Sequence, residues 1–297
     1  MIVCTGSIAL DTTRTPFAVF ERQLGGAGAF FSYSASFFTD TKLVGAVGDD
    51  FPDKHVSALE ARGVDLGGVV RGGKTFFMDW NYGHDLQART YNALELNCLA
   101  DFQPVVPDAW KKAPFVYLGT TFPAQQLSLL KQMDAPVFSL MDTIEYYIDT
   151  DRENLDAAVA AVDGVLLNEI EARKYADTPN LVKAAKFILE KGPKLVLIKK
   201  GENGCILFTK DVILPSPAMP LEEVVDPTGA GDCFAGGFLG HLARTGNFDL
   251  QTYTEAMAYG HVMGSLAVED FGFKRLFATN RKEIDERYAL YRRMVSF

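Results

Sequence analysis

The chain is poor in the residues that zinc sites, disulfide frameworks and nucleic-acid surfaces require. It has four cysteines and four histidines in 297 residues, and no two cysteines form a Cys-x-x-Cys pair. A zinc site or a disulfide scaffold is therefore not expected, and the cysteines are interpreted as reduced, mostly buried thiols. The formal net charge of −9 argues against nucleic acid or an anionic membrane as the main partner, because both need a basic surface.

Long apolar runs and targeting signals are also lacking. No stretch approaches the roughly 18 apolar residues that a membrane span needs. The segment Met1–Gly6 is too short and uncharged for a signal peptide, so we expect a cytoplasmic protein. The chain is long enough for one domain with a small appendage.

Apolar runs and helix-like segments alternate along most of the chain. This alternation predicts an α/β fold with a parallel sheet covered on both faces. A hairpin at 205–208 and 212–214 and three further helices should follow it. The predicted strands are 2–4, 42–47, 115–118, 137–141, 164–167 and 195–198, and the last three helices are 232–244, 250–268 and 280–294.

Residues 64–100 interrupt the alternation. Paired glycines at 67–68 and 72–73, with an alternating run at 75–80, favour short antiparallel strands that leave the main sheet. Residues 11–23 are extended as well. We therefore assign residues 11–23 and 64–100 to a small β lid, and residues 1–10, 24–63 and 101–297 to the larger α/β domain.

The segment Asp226–Asp232, here called the hallmark segment, has the sequence Asp-Pro-Thr-Gly-Ala-Gly-Asp. Its small residues expose consecutive amides, and the helix expected to follow directs its positive end at the same place. An anion hole beside a carboxylate suits phosphoryl transfer to a hydroxyl. The amides of Gly229, Ala230, Gly231 and Asp232 would hold the phosphoryl group, and Asp232 would accept the proton.

Other glycine-rich explanations fit less well. A bare packing turn has no need of an aspartate at both ends. A dinucleotide fingerprint would need a third glycine where Phe234 stands, and residues 26–28 fail in the same way at Phe31. The chain contains no Gly-x-x-x-x-Gly-Lys-Ser/Thr sequence, which excludes a P-loop.

The hallmark segment resembles the C-terminal motif of the ribokinase-like (PfkB) carbohydrate and nucleoside kinase family. Residues 168–171, Asn-Glu-Ile-Glu, resemble the family's Asn-x-x-Glu motif, and residues 200–204 resemble its nucleotide-side Gly-x-x-Gly turn. Gly6–Asp11 and Gly25–Gly26 resemble its acceptor-binding elements. The resemblance implies a three-layer α/β/α sandwich with a small β-sheet lid, and it implies ATP and Mg²⁺ as cofactors.

On the nucleotide side, the resemblance gives Asn168 and Glu171 a role in organising magnesium and phosphate, with Glu171 acting through water. Asn168 is alternatively an ordinary helix N-cap after a strand. The resemblance places Lys200, Gly201 and Gly204 beside the nucleotide phosphates. The lysines at 199 and 200 are alternatively a charged strand end.

Three more residues receive roles from the resemblance. Thr228 would contact the nucleotide, and Asp226 with Thr228 would help bind a monovalent cation such as K⁺. His261 lies on the helix where the family forms its adenine pocket. His55 and His241 are interpreted as surface or packing residues.

On the acceptor side, Asp11 can grip a vicinal diol because a carboxylate accepts two hydroxyl hydrogen bonds. It is alternatively a turn residue before two threonines. Gly25 and Gly26 would let the acceptor approach the backbone. Phe30 stands where family members commonly carry an asparagine that reads a hydroxyl. This departure favours a flat acceptor such as a nucleoside over a plain sugar.

The lid candidate is rich in aromatic residues, which fit either a small core or stacking on the acceptor. Arg89 is a further candidate for acceptor binding. The aromatic residues and the histidine among them are Phe76, Phe77, Trp80, Tyr82, Tyr91 and His84.

These residues predict an ATP-dependent kinase that phosphorylates a hydroxymethyl group of a sugar or a sugar-containing small molecule. An adenosine-type nucleoside kinase is the alternative within the same class. A catalytically idle sugar- or nucleoside-binding protein is the alternative from another class, although the intact Asp232 argues against it. The exposed lid sheet is, by analogy, a candidate for pairing across a homodimer.

Overall fold

A computed structural model of the chain describes residues 1–86 and 89–296. The strands are β1 Ile2–Thr5, β2 Ala9–Arg14, β3 Val19–Gly25, β4 Thr41–Val47, β5 Val64–Arg71, β6 Phe76–Tyr82, β7 Arg89–Glu95, β8 Phe115–Leu118, β9 Phe138–Asp142, β10 Gly164–Asn168, β11 Leu195–Lys199, β12 Cys205–Thr209 and β13 Ile213–Ser216. The helices are α1 Ala27–Ala35, α2 Asp53–Ala61, α3 Pro123–Leu130, α4 Glu145–Thr150, α5 Arg152–Ala161, α6 Glu169–Tyr175, α7 Leu181–Glu190, α8 Ala230–Thr245, α9 Leu250–Ala267, α10 Lys274–Ala278 and α11 Arg281–Val295.

Nine of the described strands form one large sheet, in the spatial order β13-β12-β11-β10-β9-β8-β1-β4-β5. All pairs from β11 to β5 are parallel, whereas β12 and β13 continue the sheet as antiparallel strands. The mostly parallel sheet and the hairpin predicted after it are thereby confirmed. The carboxyl ends of the parallel strands gather at one edge of the sheet.

Successive residues of the central strands enter two different hydrophobic cores. In β11, Leu195 and Leu197 pack into the core that contains residues of α1, α8, α9 and α11. Val196 and Ile198 pack into the core that contains residues of α3, α5, α6 and α7. A parallel strand buried on both faces explains why its sequence is continuously apolar. The three-layer α/β/α arrangement predicted from the sequence is confirmed.

The small sheet has the strand order β3-β2-β6-β7 among the described residues. Its strands β2 and β6 are parallel, whereas β2–β3 and β6–β7 are antiparallel. A separate small sheet was predicted, but as antiparallel throughout. Because β2 follows β1 after a short loop and α1 follows β3 directly, the small sheet joins the main domain where β1 ends.

Strand β5 differs from the prediction that residues 64–100 leave the main sheet. It pairs in parallel with β4, so residues 64–71 belong to the large sheet. Gly67 and Gly68 suggested an irregular segment, but they make room for the Trp110 ring. A Cβ atom on Gly68 would lie 2.8 Å from that ring. The short helices α4 and α10 were not predicted.

The structure also describes the cysteines and the apolar character of the helices. The four cysteines are free, and Cys98 is half-buried while the other three are buried. In the part of the chain that the structure describes, no helix combines the length and the apolarity needed to cross a bilayer.

Candidate active site

The hallmark segment leads directly into the long helix α8. The helix begins at Ala230, two residues earlier than predicted, and Gly229 is its N-cap in the left-handed conformation with φ +79°. Ala230, Gly231 and Asp232 occupy the first turn, where amides have no acceptor within the helix. The structure therefore brings the predicted anion-binding amides and the Asp232 carboxylate to the same positive helix end. Their catalytic roles stay predictions.

Gly229 is in close contact with the buried ring of Phe30. A Cβ atom at position 229 would lie 2.6 Å from three atoms of that ring. Phe30 is only 1% exposed, and its ring stacks on Phe273 at a centroid separation of 4.2 Å. Phe30 therefore supports the turn of the hallmark segment, and it offers no hydrogen bond to an acceptor hydroxyl.

Asp226 fixes the start of the hallmark segment to a later loop. Its Oδ1 accepts a hydrogen bond from the Thr228 amide at 2.9 Å, and its Oδ2 accepts one from the Gly272 amide at 3.1 Å. Burial raises the pKa of Asp226, and these amides counteract that rise. These two hydrogen bonds give Asp226 a structural role. Its predicted role in cation binding stays a prediction.

Thr228 joins the hallmark segment to the small sheet. Its Oγ1 lies 3.0 Å from the Tyr82 hydroxyl, at hydrogen-bond distance. Tyr82 is the last residue of β6. Thr228, predicted on the nucleotide side, also lines the cavity that contains Asp11, on the acceptor side. The small sheet thus reaches the hallmark segment directly.

Asp11 lies on β2 and is buried, with 7% exposure. The amides of Gly26 and Met78 donate to its carboxylate, while its Oδ1 has no hydrogen-bond partner in the described part of the chain. Burial raises the pKa of Asp11 to about 7, and the charge of Asp226 adds to this rise. A Cβ atom on Gly25 would lie 2.0 Å from Asp11 Oδ2, so this glycine makes room for the carboxylate.

Gly26 is the N-cap of α1, and a Cβ atom there would lie 2.3 Å from the Ser7 carbonyl oxygen. Protein atoms therefore occupy the space where a side chain at position 25 or 26 would lie. This packing requires glycine at both positions, and the sequence did not reveal it.

A narrow cavity lies between Asp11 and the hallmark segment. Its wall includes Phe20, whose ring stacks on that of Phe271 at 4.3 Å with an interplanar angle of 18°. The Lys274 ammonium lies 3.4 Å from the centroid of the Phe20 ring. The residues that line the cavity are Asp11, Thr13, Phe20, Gln23, Leu24, Phe30, Asp226, Thr228 and Gly272.

Most of the predicted lid aromatics lie away from this cavity. Trp80 and Tyr91 contact each other edge to face at 6.4 Å, and Tyr91 is 59% exposed. The guanidinium carbon of Arg22 lies 5.5 Å from the centroid of the Phe77 ring. Tyr82 is the member of the predicted set that contacts the hallmark segment. The side chain of Arg89, predicted to bind the acceptor, lies outside what the structure describes.

Asn168 and Glu171 form a capping box at the start of α6. Asn168 Oδ1 accepts hydrogen bonds from the Ile170 and Glu171 amides, both at 2.8 Å. Glu171 Oε2 accepts one from the Asn168 amide at 2.7 Å. The N-cap alternative is therefore confirmed, while a role in organising magnesium stays a prediction.

The residues on this side fit a magnesium ion held mainly by phosphate and water. In residues 1–86 and 89–296 no group of three or more His, Cys, Asp and Glu side chains could hold a metal ion alone. Mg²⁺ keeps several waters and binds through few carboxylates, so the predicted role of Glu171 needs only one carboxylate acting through water. Glu171 is 3% exposed, and its negative charge acts on the buried Lys199.

Residues 200–204 form the turn between β11 and β12. Gly201 and Gly204 have positive φ angles of +55° and +82°, and the Lys200 amide donates to the Gly204 carbonyl at 2.7 Å. The turn follows Lys199, which pairs in register with Asn168 across β10 and β11. The two predicted nucleotide-side motifs are therefore neighbours at the carboxyl edge of the sheet.

Lys199 and Asp142, which the prediction did not choose, also lie at this edge. Lys199 Nζ donates to Asp142 Oδ2 at 2.5 Å. Burial lowers the pKa of Lys199, but Asp142 and then Glu171 outweigh it, and the net result is a raised pKa. The alternation of β11 could have identified Lys199, because it continues the series of Leu195 and Leu197 that faces the α8 layer.

His261 lies inside the protein core. Its Nε2 is 3.4 Å from Cys205 Sγ, and the centroid of its ring is 5.6 Å from that of the Tyr291 ring on α11. Burial lowers its pKa to about 4, so the ring is neutral. His261 is thus packed behind α11 and does not form an open wall for adenine. His55 and His241 are both buried packing residues.

The sequence matches a family model described as pfkB family carbohydrate kinase over residues 2–276. It is also similar to the cytidine kinase of Thermococcus kodakarensis. The two proteins are 30% identical over 251 residues, which cover 82% of this chain and 88% of the relative.

Solved structures share the fold. The nucleoside kinase of Burkholderia thailandensis in complex with inosine matches with a TM-score of 0.81 and 19% identity, over 98% of this chain and 97% of that chain. An Escherichia coli protein provisionally called ribokinase II, solved with ATP and Mg²⁺, matches with a TM-score of 0.81 and 21% identity, over 97% and 99% of the two chains. With the family match across nearly its whole length, the chain belongs to the pfkB family of carbohydrate kinases.

Proposed function

We propose that this protein is an ATP- and Mg²⁺-dependent kinase that phosphorylates the hydroxymethyl group of a nucleoside. Membership in the pfkB family makes it a phosphotransferase acting on a sugar or nucleoside hydroxyl. The observation that carries the proposal is the position of Asp232 in the first turn of α8, beside the amides of Gly229–Gly231. A proton acceptor and an anion hole therefore occupy one helix end.

The transfer step is simple in its bonds. The acceptor oxygen forms a bond to the γ-phosphorus of ATP, while the bond from that phosphorus to the ADP oxygen breaks and ADP keeps the electron pair. Asp232 accepts the hydroxyl proton as the new bond forms, so an ordinary carboxylate pKa suffices. The amides at the start of α8 stabilise the negative charge on the moving group. Glu171 would hold Mg²⁺ through water, and the ion would neutralise phosphate charge.

The acceptor cavity favours a nucleoside over a plain sugar. The unpartnered Oδ1 of Asp11 suits a ribose diol, since it can accept a hydroxyl hydrogen bond. Phe20, Leu24 and Phe30 add an apolar wall to the same cavity. The cavity volume is about 10 Å³ in this structure, so a nucleoside requires the cavity to widen. A base would then lie against the apolar wall, whereas a free sugar would set hydroxyls against it without partners. The cytidine kinase and the inosine-bound nucleoside kinase are relatives whose names agree with this choice.

A panel of acceptors tests the proposal. ATP and Mg²⁺ are incubated with cytidine, adenosine, inosine, ribose and fructose, and the ADP formed and the phosphorus spectrum of the product are measured. We expect at least one nucleoside to become a phosphomonoester at its primary hydroxyl, with kcat/KM at least tenfold above either sugar. Preferential phosphorylation of ribose or fructose would favour the plain sugar kinase. Binding of a nucleoside without turnover of any acceptor would favour the idle binding protein.

The cation hypothesis is tested with the same assay. Asp226 is proposed to act near a monovalent cation, so replacement of K⁺ by tetramethylammonium should lower the rate. An unchanged rate would restrict Asp226 to its hydrogen bonds with the Thr228 and Gly272 amides.

A further inference from the structure

Lys199 places a partly buried positive charge at the N-terminal end of α8. The three heavy atoms nearest to a Cβ built on Gly231 all belong to Lys199, with Nζ at 3.1 Å and two side-chain carbons at 3.8 Å. The absence of a side chain at position 231 therefore lets the ammonium approach the first turn of the helix. The Lys199 side chain is 18% exposed and that of Asp142 is 5% exposed.

Two effects disfavour an ammonium at this position, although the carboxylates of Asp142 and Glu171 outweigh them. The N-terminus of a helix carries partial positive charge, so a cation beside it destabilises the fold. Burial adds a desolvation cost for the ammonium. Asp142 offsets these costs in the protein alone, but a hydrophobic pair would avoid them. A phosphoryl group would satisfy both the ammonium and the helix amides at once.

We propose that Lys199 contacts the transferring phosphoryl group and stabilises the charge that develops on it. This inference rests on the proposed kinase function and assigns a residue to it. The lysine keeps its proton throughout, while Asp232 receives the acceptor's proton and ADP keeps the electron pair of the broken bond. Asp142 positions the ammonium, and its own Oδ1 is held by the Thr143 amide at 2.9 Å.

The neighbouring Lys200 is the residue that the family resemblance suggested. Its backbone closes the β11–β12 turn, through the hydrogen bond from its amide to the Gly204 carbonyl. Lys199 is the lysine whose ammonium lies against Gly231, so the direct charge contact is assigned to it. Lys199 ends strand β11 on the face of Leu195 and Leu197, whereas Lys200 lies beyond the strand, in the turn.

Lys199→Met tests the contact, with Lys194→Met as the matched control. Lys194 precedes the same strand at its other end and pairs with Asp163 at 2.7 Å, although its side chain is 76% exposed. We expect Lys199→Met to lower kcat about 100-fold or more, the size found for loss of one donor to a reacting oxyanion. Lys199→Arg should recover part of the rate, and Lys194→Met should retain it. A kcat for Lys199→Met within threefold of the unchanged protein would overturn the proposal.

The double variant Lys199→Met/Asp142→Asn guards against a folding defect. It leaves no unpaired carboxylate at position 142, so it should fold, but its kcat should remain as low as that of Lys199→Met. Recovery of the rate in the double variant would show that the unpaired Asp142 caused the loss, and the phosphoryl contact would be refuted.

Nucleotide binding separates this proposal from the kinase function itself. The dissociation constants of ADP and of a non-hydrolysable ATP analogue are measured without acceptor. Lys199→Met should weaken the analogue at least tenfold and ADP less than twofold, because only the analogue carries the γ-phosphate. Equal weakening of both would refute the assignment. If the unchanged protein phosphorylates no acceptor, the kinase function fails, but this measurement still decides whether Lys199 meets the γ-phosphate.

Discussion

Replacing Gly229 by alanine should destabilise the protein more than the same change at the other end of the same helix. Gly229 and Gly246 are the N-cap and C-cap of α8, and both are left-handed, with φ of +79° and +70°. A Cβ atom on Gly246 has no heavy atom within 4 Å, whereas one on Gly229 would lie 2.6 Å from the Phe30 ring. The pair therefore separates backbone strain from steric overlap.

The expected costs follow from these two terms. The left-handed conformation costs an alanine about 1–2 kcal/mol, which is the whole expected effect of Gly246→Ala. Overlap in a packed interior adds about 1–3 kcal/mol to Gly229→Ala. The Phe30 ring cannot retreat, because Phe273 stacks behind it at 4.2 Å. The two variants should therefore differ by about 1–3 kcal/mol in their free energy of unfolding.

Thermal unfolding measures the difference. At about 2 °C per kcal/mol for a chain of this size, Gly229→Ala should lower the Tm by about 4–10 °C and Gly246→Ala by about 2–4 °C. In a Phe30→Leu background the excess cost of Gly229→Ala should shrink by at least about 1 kcal/mol, since the coupled pair has been altered. Equal Tm losses for the two alanine variants, or no coupling to Phe30, would refute the argument.

Three further predictions concern the site. Asp232→Asn should lower kcat by about 10³-fold or more with nearly unchanged ATP affinity. The control Asp53→Asn, in the first turn of α2, should leave kcat unaltered. If Asp232→Asn kept most of its activity, Asp232 would not be the base. Phe30→Asn should shift kcat/KM in favour of ribose relative to nucleosides, and an unchanged ratio would contradict the role of the ring in acceptor choice. Because burial and Asp226 raise the pKa of Asp11 to about 7, the folded protein holds a proton there that the unfolded chain releases near pH ~4, so this contribution to the free energy of unfolding falls as pH rises between those values. Between pH 5 and pH 7.5, the Tm of the unchanged protein should therefore fall by more than the Tm of Asp11→Asn. Identical pH profiles of the two Tm values would argue against the raised pKa.

Strong local patterns were sufficient to predict the main architecture. The apolar runs at β8, β10 and β11 are strands where the sequence pattern placed them. Strand β5 was assigned to the wrong sheet because its glycines resemble a loop. They are required by the close approach of Trp110, a residue more than 40 positions later, and such contacts leave no local signal.

The candidate site shows the same limit. The hallmark segment and the capping box are compact motifs, so their positions could be read directly from the sequence. Phe20 and Phe271 are separated by most of the chain, and no periodicity links them. His261 was expected near the nucleotide, but Tyr291 on α11 packs against it. In contrast, the alternation of β11 places Lys199 on the face of Leu195 and Leu197, a local signal that the prediction did not use.

The residue that would grip the acceptor is part of the small sheet itself. Asp11 lies on β2, and Tyr82, at the end of the paired strand β6, reaches Thr228. Contacts between the acceptor and Asp11 would therefore favour the arrangement in which Tyr82 meets Thr228, which links acceptor binding thermodynamically to this contact. A nucleoside that lacks one hydroxyl of the diol should consequently react more slowly even at saturation, since its lost contact would leave the reacting groups less often assembled.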